Sequence, residues 1–231
     1  MRPFLEVAVL SVPVGIDYAS VIVGVLCGAL VGCRRKMDVV GTTVLGFLTG
    51  FGGGIVRDLL LGGQDVYFMS HADLIVLSLV LCFVTFYFRG LFFDLDRSLM
   101  LADAFSVALF SLAGASKAFA FGCGPVYVVM LGSITAVGGG AMRDCFAGVT
   151  PAIFRRSNYY AVACVAGSAA FAGLAFCGAP LEAAAVACVL VVLVLRYASV
   201  RFNWQTRDEA DLAPEVVRAA KSVTRRVRRR R

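Results

Sequence analysis

Apolar runs of membrane-spanning length follow one another along almost the whole chain. They lie at Tyr18–Cys33, Val39–Leu61, Ala72–Phe88, Leu99–Phe119, Val126–Val149, Tyr159–Phe176 and Leu181–Tyr197. A helix needs roughly 20 apolar residues to cross the hydrocarbon core. These segments, separated by short polar or glycine- and proline-bearing links, predict seven crossings and an all-α integral membrane protein. Of 231 residues, 60% are hydrophobic and 16% charged, with a mean hydropathy of +0.85. A soluble domain carries about 25% charged residues, so an ordinary water-soluble globule is excluded.

The links also orient the chain. Arg34, Arg35 and Lys36 follow span one, Arg89 and Arg97 follow span three, and Arg155 and Arg156 follow span five. The most basic segment, Arg218–Arg231, lies beyond span seven. The intervening links Gly62–His71, Ala120–Pro125 and Cys177–Pro180 hold no Lys or Arg. By the positive-inside rule the N-terminus is expected outside and the C-terminus in the cytoplasm. The net charge of +7 resides mainly in that tail; it is read as a topology signal and a contact with anionic lipid, not as a nucleic-acid site. Met1–Gly15 is interrupted by Glu6 and Pro13 and is too short to span, so residues 1–17 are read as an external segment. The eight cysteines lie mostly within apolar runs and form no CxxC pair, which predicts neither a disulfide framework nor a metal site.

The strongest internal signal is a duplication. The segment Gly52-Gly53-Gly54-Ile55-Val56-Arg57-Asp58 returns as Gly138-Gly139-Gly140-Ala141-Met142-Arg143-Asp144, an offset of 86. The same offset pairs Asp17 with Asp103, Ser20 with Ser106, Gly28 with Gly114, Gly46 with Gly132, Thr49 with Thr135 and Gly62 with Gly148. Spans one to three (18–90) therefore correspond to spans four to six (99–178). Because three is odd, the second copy enters the membrane from the opposite side. The expected architecture is two inverted three-helix repeats, a seventh helix over 181–200 and a basic tail over 201–231.

Three glycines in a row cost a helix roughly 1 kcal/mol each relative to Ala. In a span they either break the helix, freeing carbonyls and half-helix ends near mid-membrane, or let two backbones approach closely. The first alternative, with packing added, gives a cation path lined by Gly52–Gly54 and Gly138–Gly140 and by the hydroxyls of Thr49 and Thr135. Arg57, Asp58, Arg143 and Asp144 follow one turn later, at a depth where ionisable groups are functional or paired. Two roles stand open for them: lining the path, or clamping the glycine segments by capping carbonyls or pairing with an Asp of the other repeat. Asp17 and Asp103 either cap their helices or face water, and Lys117 either snorkels or joins the charged set. His71 reads as a solvated loop residue. Pro151 and Trp204 read as helix-end markers. With one His, no HExxH, no GxSxG, and Arg57 where GxGxxG needs its third glycine, no enzyme and no cofactor is expected.

GGGIVRDLLLG, GGGAMRDCFAG, Lys36-Met37-Asp38, the Asp103…Gly114-Ala115-Ser116-Lys117-Ala118 run and Arg201-Phe202-Asn203-Trp204 together resemble the prokaryotic branch of the trimeric intracellular cation (TRIC) channel family over about residues 16–205. The resemblance implies a homotrimer in the prokaryotic inner membrane with one path per protomer. That path would pass monovalent cations, chiefly potassium with sodium poorly discriminated, between kinked spans two and five. Animal members carry a basic lipid-binding motif in span four, where this chain has only Lys117. The same family is also described as transporters of glycine or another small amino acid. Inverted repeats with broken helices suit such a secondary transporter equally.

Overall fold

A computed structural model describes residues 14–62, 67–91, 95–154 and 159–204. The segment before residue 14, Arg155 and Arg156, and the basic tail from 205 onward lie outside the described residues. Seven α-helices occur among those described: α1 (Val14–Arg34), α2 (Val39–Leu61), α3 (Ala72–Tyr87), α4 (Leu95–Ala120), α5 (Pro125–Phe146), α6 (Tyr160–Phe176) and α7 (Leu181–Arg201). Five of them, α1, α2, α4, α5 and α7, are long and apolar enough to cross a membrane. The other two, α3 and α6, are shorter apolar helices of 16 and 17 residues. At 1.5 Å per residue these reach about 25 Å, a little short of the hydrocarbon core.

Local chemistry sets the helix ends. The Asp38 side chain caps α2 by accepting from the Gly41 amide at 2.8 Å, and Pro125 opens α5, where its missing N–H costs nothing. After α1 the chain turns through Lys36 at φ 57°, with the Met37 amide donating to the Gly32 carbonyl at 3.0 Å. After α4 the same turn runs through Gly122 at φ 76°, with the Cys123 amide donating to the Ala118 carbonyl at 3.1 Å. These closures are 86 residues apart. Only the second has the glycine that a left-handed cap favours.

Packing places α1, α2, α5 and α4 in a ring, with α1 against α2, α2 against α5, α5 against α4 and α4 against α1. Helix α3 flanks α1 and α2, α6 flanks α4 and α5, and α7 covers α4 and α6. Small residues make these approaches possible. A Cβ on Gly28 would strike Thr49 and Leu45 of α2, and one on Gly114 would strike Thr135 Oγ1 at 2.5 Å and the Leu131 carbonyl at 2.8 Å on α5. The outward faces of α3 (Val76, Val80, Phe83) and α7 (Val186, Leu190, Val194) leave large apolar side chains exposed, as a lipid-facing surface requires. Inside lie Thr42, Thr49, Ser111, Thr135 and Ser168.

The break expected at the glycine triplets is not present. Both α2 and α5 remain helical through Gly52–Gly54 and Gly138–Gly140. The glycines instead serve contact. A Cβ on Gly53 would clash with the Thr135 carbonyl oxygen, and one on Gly139 with the Thr49 carbonyl oxygen. Gly138 stands 3.3 Å from the Gly53 Cα by the same measure. Gly54, by contrast, has only a guanidinium nitrogen of Arg57 at 3.9 Å. Gly53→Ala and Gly139→Ala should therefore each lower the thermal midpoint of the purified protein, by an overpacking cost of about 1–3 kcal/mol, whereas Gly54→Ala should be neutral or slightly stabilising. Equal losses at all three positions would show that contact between α2 and α5 is not what the glycines serve.

Candidate functional site

The contacts Gly53 with Thr135 and Thr49 with Gly139 run in opposite directions along the two helices, so α2 and α5 cross antiparallel. Arg57-Asp58 and Arg143-Asp144 each lie one turn or so beyond the crossing, toward the C-terminal ends of their helices. The two pairs therefore occupy opposite ends of the ring, about 20 Å apart along the helix axes at 1.5 Å per residue.

At the first end, Arg57 Nε donates to Asp58 Oδ1 at 2.7 Å, and Lys117 Nζ of α4 reaches the same oxygen at 2.8 Å. Asp17 of α1 completes the group, with its Oδ1 3.6 Å from Arg57 Nη1. Arg57 and Asp58 are buried, while the Lys117 side chain keeps 22% of its surface exposed, so its ammonium stays at the wet edge. At the second end, Arg143 Nε donates to Asp144 Oδ1 at 3.0 Å and Arg143 Nη1 lies 3.3 Å from Asp103 Oδ1 of α4. The other oxygen, Asp103 Oδ2, accepts from Arg196 Nη2 of α7 at 2.8 Å. Asp144 Oδ2 accepts the Ala152 amide at 3.0 Å, and Arg143 Nη1 also reaches Cys27 Sγ of α1 at 3.1 Å. Each group thus sets two carboxylates against two cations. Buried ions are tolerated only under such pairing.

Several expectations change here. Arg57 and Arg143 do not pair with an Asp of the other repeat: each takes the two carboxylates of its own, at Asp17 and Asp58 or at Asp103 and Asp144. Lys117 does not simply snorkel, because it pairs with Asp58. The hydroxyls of Thr49 and Thr135 are buried and donate to the carbonyls of Leu45 at 2.7 Å and Leu131 at 2.6 Å in their own helices. His71 stands at the start of α3, with its ring 6.0 Å from that of Tyr18, and Tyr18 donates to Asp73 at 2.5 Å. The sequence reading missed Arg196, Cys27 and Tyr160. An arginine inside span seven was the available signal for the first.

The sequence model of the family described as "Glycine transporter" matches residues 14–90 and 100–175, two stretches whose starts are 86 residues apart. The chain is 36% identical over 190 residues to a UPF0126 membrane protein of Deinococcus radiodurans, covering 82% of this chain and 87% of that one. It is 32% identical over 190 residues to the UPF0126 inner membrane protein YadS of Escherichia coli, covering 81% and 91%. Among solved structures it resembles the TRIC trimeric intracellular cation channel orthologue from Rhodobacter sphaeroides, with TM-score 0.78, 35% identity, and coverage of 82% and 97%. The fold is that of an all-helical membrane protein similar to solved cation channels. The chain belongs to the Glycine transporter family of UPF0126 membrane proteins, whose solved neighbours are prokaryotic TRIC channels.

The pair Asp58–Lys117 joins α2 to α4 and offers a direct measurement. Lys117→Met alone leaves Asp58 with Arg57, and Asp58→Asn alone leaves Arg57 and Lys117 facing each other with Asp17 at 3.6 Å. Asp58→Asn should cost about 3–5 kcal/mol, as removal of one partner of a buried pair does, and Lys117→Met clearly less. The double variant should be more stable than the sum of the two losses predicts. Simple additivity in thermal unfolding would remove the pair from the account.

Proposed function

We propose that this protein is a homotrimeric, potassium-permeable cation channel with one path per protomer, running between α2 and α5. The observation that carries the reading is the pair of charge-balanced clusters on opposite sides of the glycine crossing. A bare Arg57 or Arg143 beside a path would repel cations. Set against Asp17 and Asp58, or Asp103 and Asp144, each arginine loses that barrier while holding its helix in place. The recurrence of the same contacts at an offset of 86 supports two inverted three-helix repeats with α7 outside them. The basic links support an external N-terminus and a cytoplasmic C-terminus. The likeness in fold and sequence to a cation channel described as trimeric supports the assembly and the cargo.

In this arrangement Gly52, Gly53, Gly138 and Gly139 are packed against the facing helix, and conduction requires α2 and α5 to part there. Few side chains interlock there, so the two helices can separate without rotamer rearrangement. Parting exposes the Thr49 and Thr135 carbonyls and the triplets to water, which supplies the oxygens that a partly dehydrated cation needs. The ions themselves are cargo, and no resident cofactor enters the reading.

The description of the family favours one second reading, a secondary transporter of glycine or another small amino acid, in which the two clusters would close alternately. Flux in liposomes separates the two. Potassium driven by a gradient should pass rapidly without saturating, and labelled glycine tested in the same vesicles should not accumulate. Saturable glycine uptake without potassium conductance would make the protein a carrier.

A further inference from the structure

Each repeat contributes the same three charges: an aspartate on its first helix, then an arginine and an aspartate after the glycines. That set carries one excess negative charge. At the first end the balance is restored by Lys117, which α4 of the second repeat lends to Asp58 of the first. If the repeat governed both ends, the second cluster would receive its cation from α1 at the position 86 residues before Lys117. That position is Val31, which is buried among Leu45 and Ala147. The position 86 residues after Lys117 is Asn203. The duplication therefore leaves the second cluster one cation short.

We propose that Arg196 on α7 is the positioning residue that completes this cluster, supplying the missing charge and fixing Asp103 so that Arg143 holds α4 to α5. Three observations carry this. Asp103 divides its two oxygens between the arginines, with Arg196 the nearer at 2.8 Å against 3.3 Å for Arg143. The Arg196 guanidinium carbon lies 4.8 Å over the ring of Tyr160, a face-on cation–π contact that aims it from α6. Its side chain is 10% exposed, too buried for an arginine that merely marks the end of a span at the membrane surface. Planar guanidinium geometry suits the dual task, since one face rests on the ring while an edge nitrogen reaches the carboxylate. Tyr160 also bounds Gly140, where a Cβ would come 2.8 Å from its hydroxyl. The element outside the repeat thus bears on the second glycine helix through α4 and α6. Helix α7 has an electrostatic reason to be there besides covering apolar surface.

The proposal rests on the channel reading for its flux readout and on charge pairing alone for its stability readout. The test uses the full chain in four forms: wild type, Arg196→Lys, Arg196→Met, and Arg196→Met combined with Asp103→Asn. Thermal unfolding is measured in detergent, and potassium flux in phosphatidylcholine liposomes at low and high salt. Arg196→Met leaves one cation against two carboxylates. It should lower the thermal midpoint by about 5 °C or more. It should also raise potassium flux about threefold at low salt, through local cation enrichment that high salt screens away. Arg196→Lys, which keeps the charge but loses the planar face on Tyr160, should keep the wild-type flux and fall between wild type and Arg196→Met in thermal midpoint. The double variant, again charge-balanced, should regain more than half of the lost stability and the wild-type flux. A double variant folded where Arg196→Met is not would give the same support. Additive destabilisation in the double variant, failure of both Met variants to fold, or an Arg196→Met protein indistinguishable from wild type would each overturn the proposal. If wild type carries no potassium, the channel reading fails while the unfolding comparison still decides the role of Arg196.

Discussion

The antiparallel contact of α2 with α5 at Gly53 and Gly139 governs the rest of the molecule. Two helix backbones approach so closely there that a single methyl group on either glycine would clash with a carbonyl oxygen of the other helix. Only a surface stripped of side chains permits this. The close crossing draws α1 and α4 onto its two flanks, where Gly28 meets Thr49 and Gly114 meets Thr135 in matching fashion. Because α2 and α5 run in opposite directions, identical segments placed after the glycines emerge at opposite ends. A sequence motif used twice thereby becomes two separate clusters.

Charge neutrality is the second constraint, and it follows from the first. Arg57 and Arg143 are carried into buried positions by the helices that bear the glycines. An isolated ion there would cost several kcal/mol in desolvation. Each arginine is met by an aspartate on the neighbouring helix and by another directly after it in sequence, and each resulting trio needs a further cation. Lys117 and Arg196 meet that need from different helices, with one group at the wet edge and the other enclosed by Tyr160 and Asp103. The two ends are therefore alike in charge and unlike in exposure.

Much of this was legible in the residues. The run Val39–Leu61 coincides with α2, and the first and fourth helices extend only four residues beyond the runs that announced them, at Val14 and Leu95. Those four residues are hard to read because Asp17 and Arg97 lower the local hydropathy. The charged residues that assemble into the clusters, Arg57, Asp58, Asp103, Lys117, Arg143 and Asp144, stood out as ionisable groups within apolar spans, and Asp17 as one at the edge of the first. Their pairings did not, because sequence spacing fixes a residue's height along a helix but not the face it turns to a neighbour. The glycine triplets misled for a related reason. Helix propensity charges each glycine separately, yet the loss is offset when the bare face packs on another backbone, and the hydrogen-bonded helix then continues unbroken. Arg196 escaped because a lone arginine near the end of a span reads as a boundary marker until Asp103 and Tyr160 are seen beside it.

The glycine crossing also bears on how channel and carrier differ physically in such a fold. A carrier must never open both ends at once, so its two ends have to be coupled through a rigid element that tips between them. Here α2 and α5 each run from one cluster through the crossing toward the other end, and α4 touches both clusters, through Lys117 at one and Asp103 at the other. Coupling of the ends through α4 would therefore suit either mode of transport. What separates them is the contact at mid-height. In a carrier the crossing would pivot and stay closed around its cargo, which demands a cavity of polar groups between the clusters. Between the clusters the facing surfaces meet through glycine backbone and the Met142 side chain, with the Thr49 and Thr135 hydroxyls already bonded within their own helices. Among the described residues of α1, α2, α4 and α5, no charged side chain lies between the clusters to meet a zwitterion such as glycine. A potassium ion needs only oxygens, and parted backbones supply them, which is why the channel is the reading that this crossing favours.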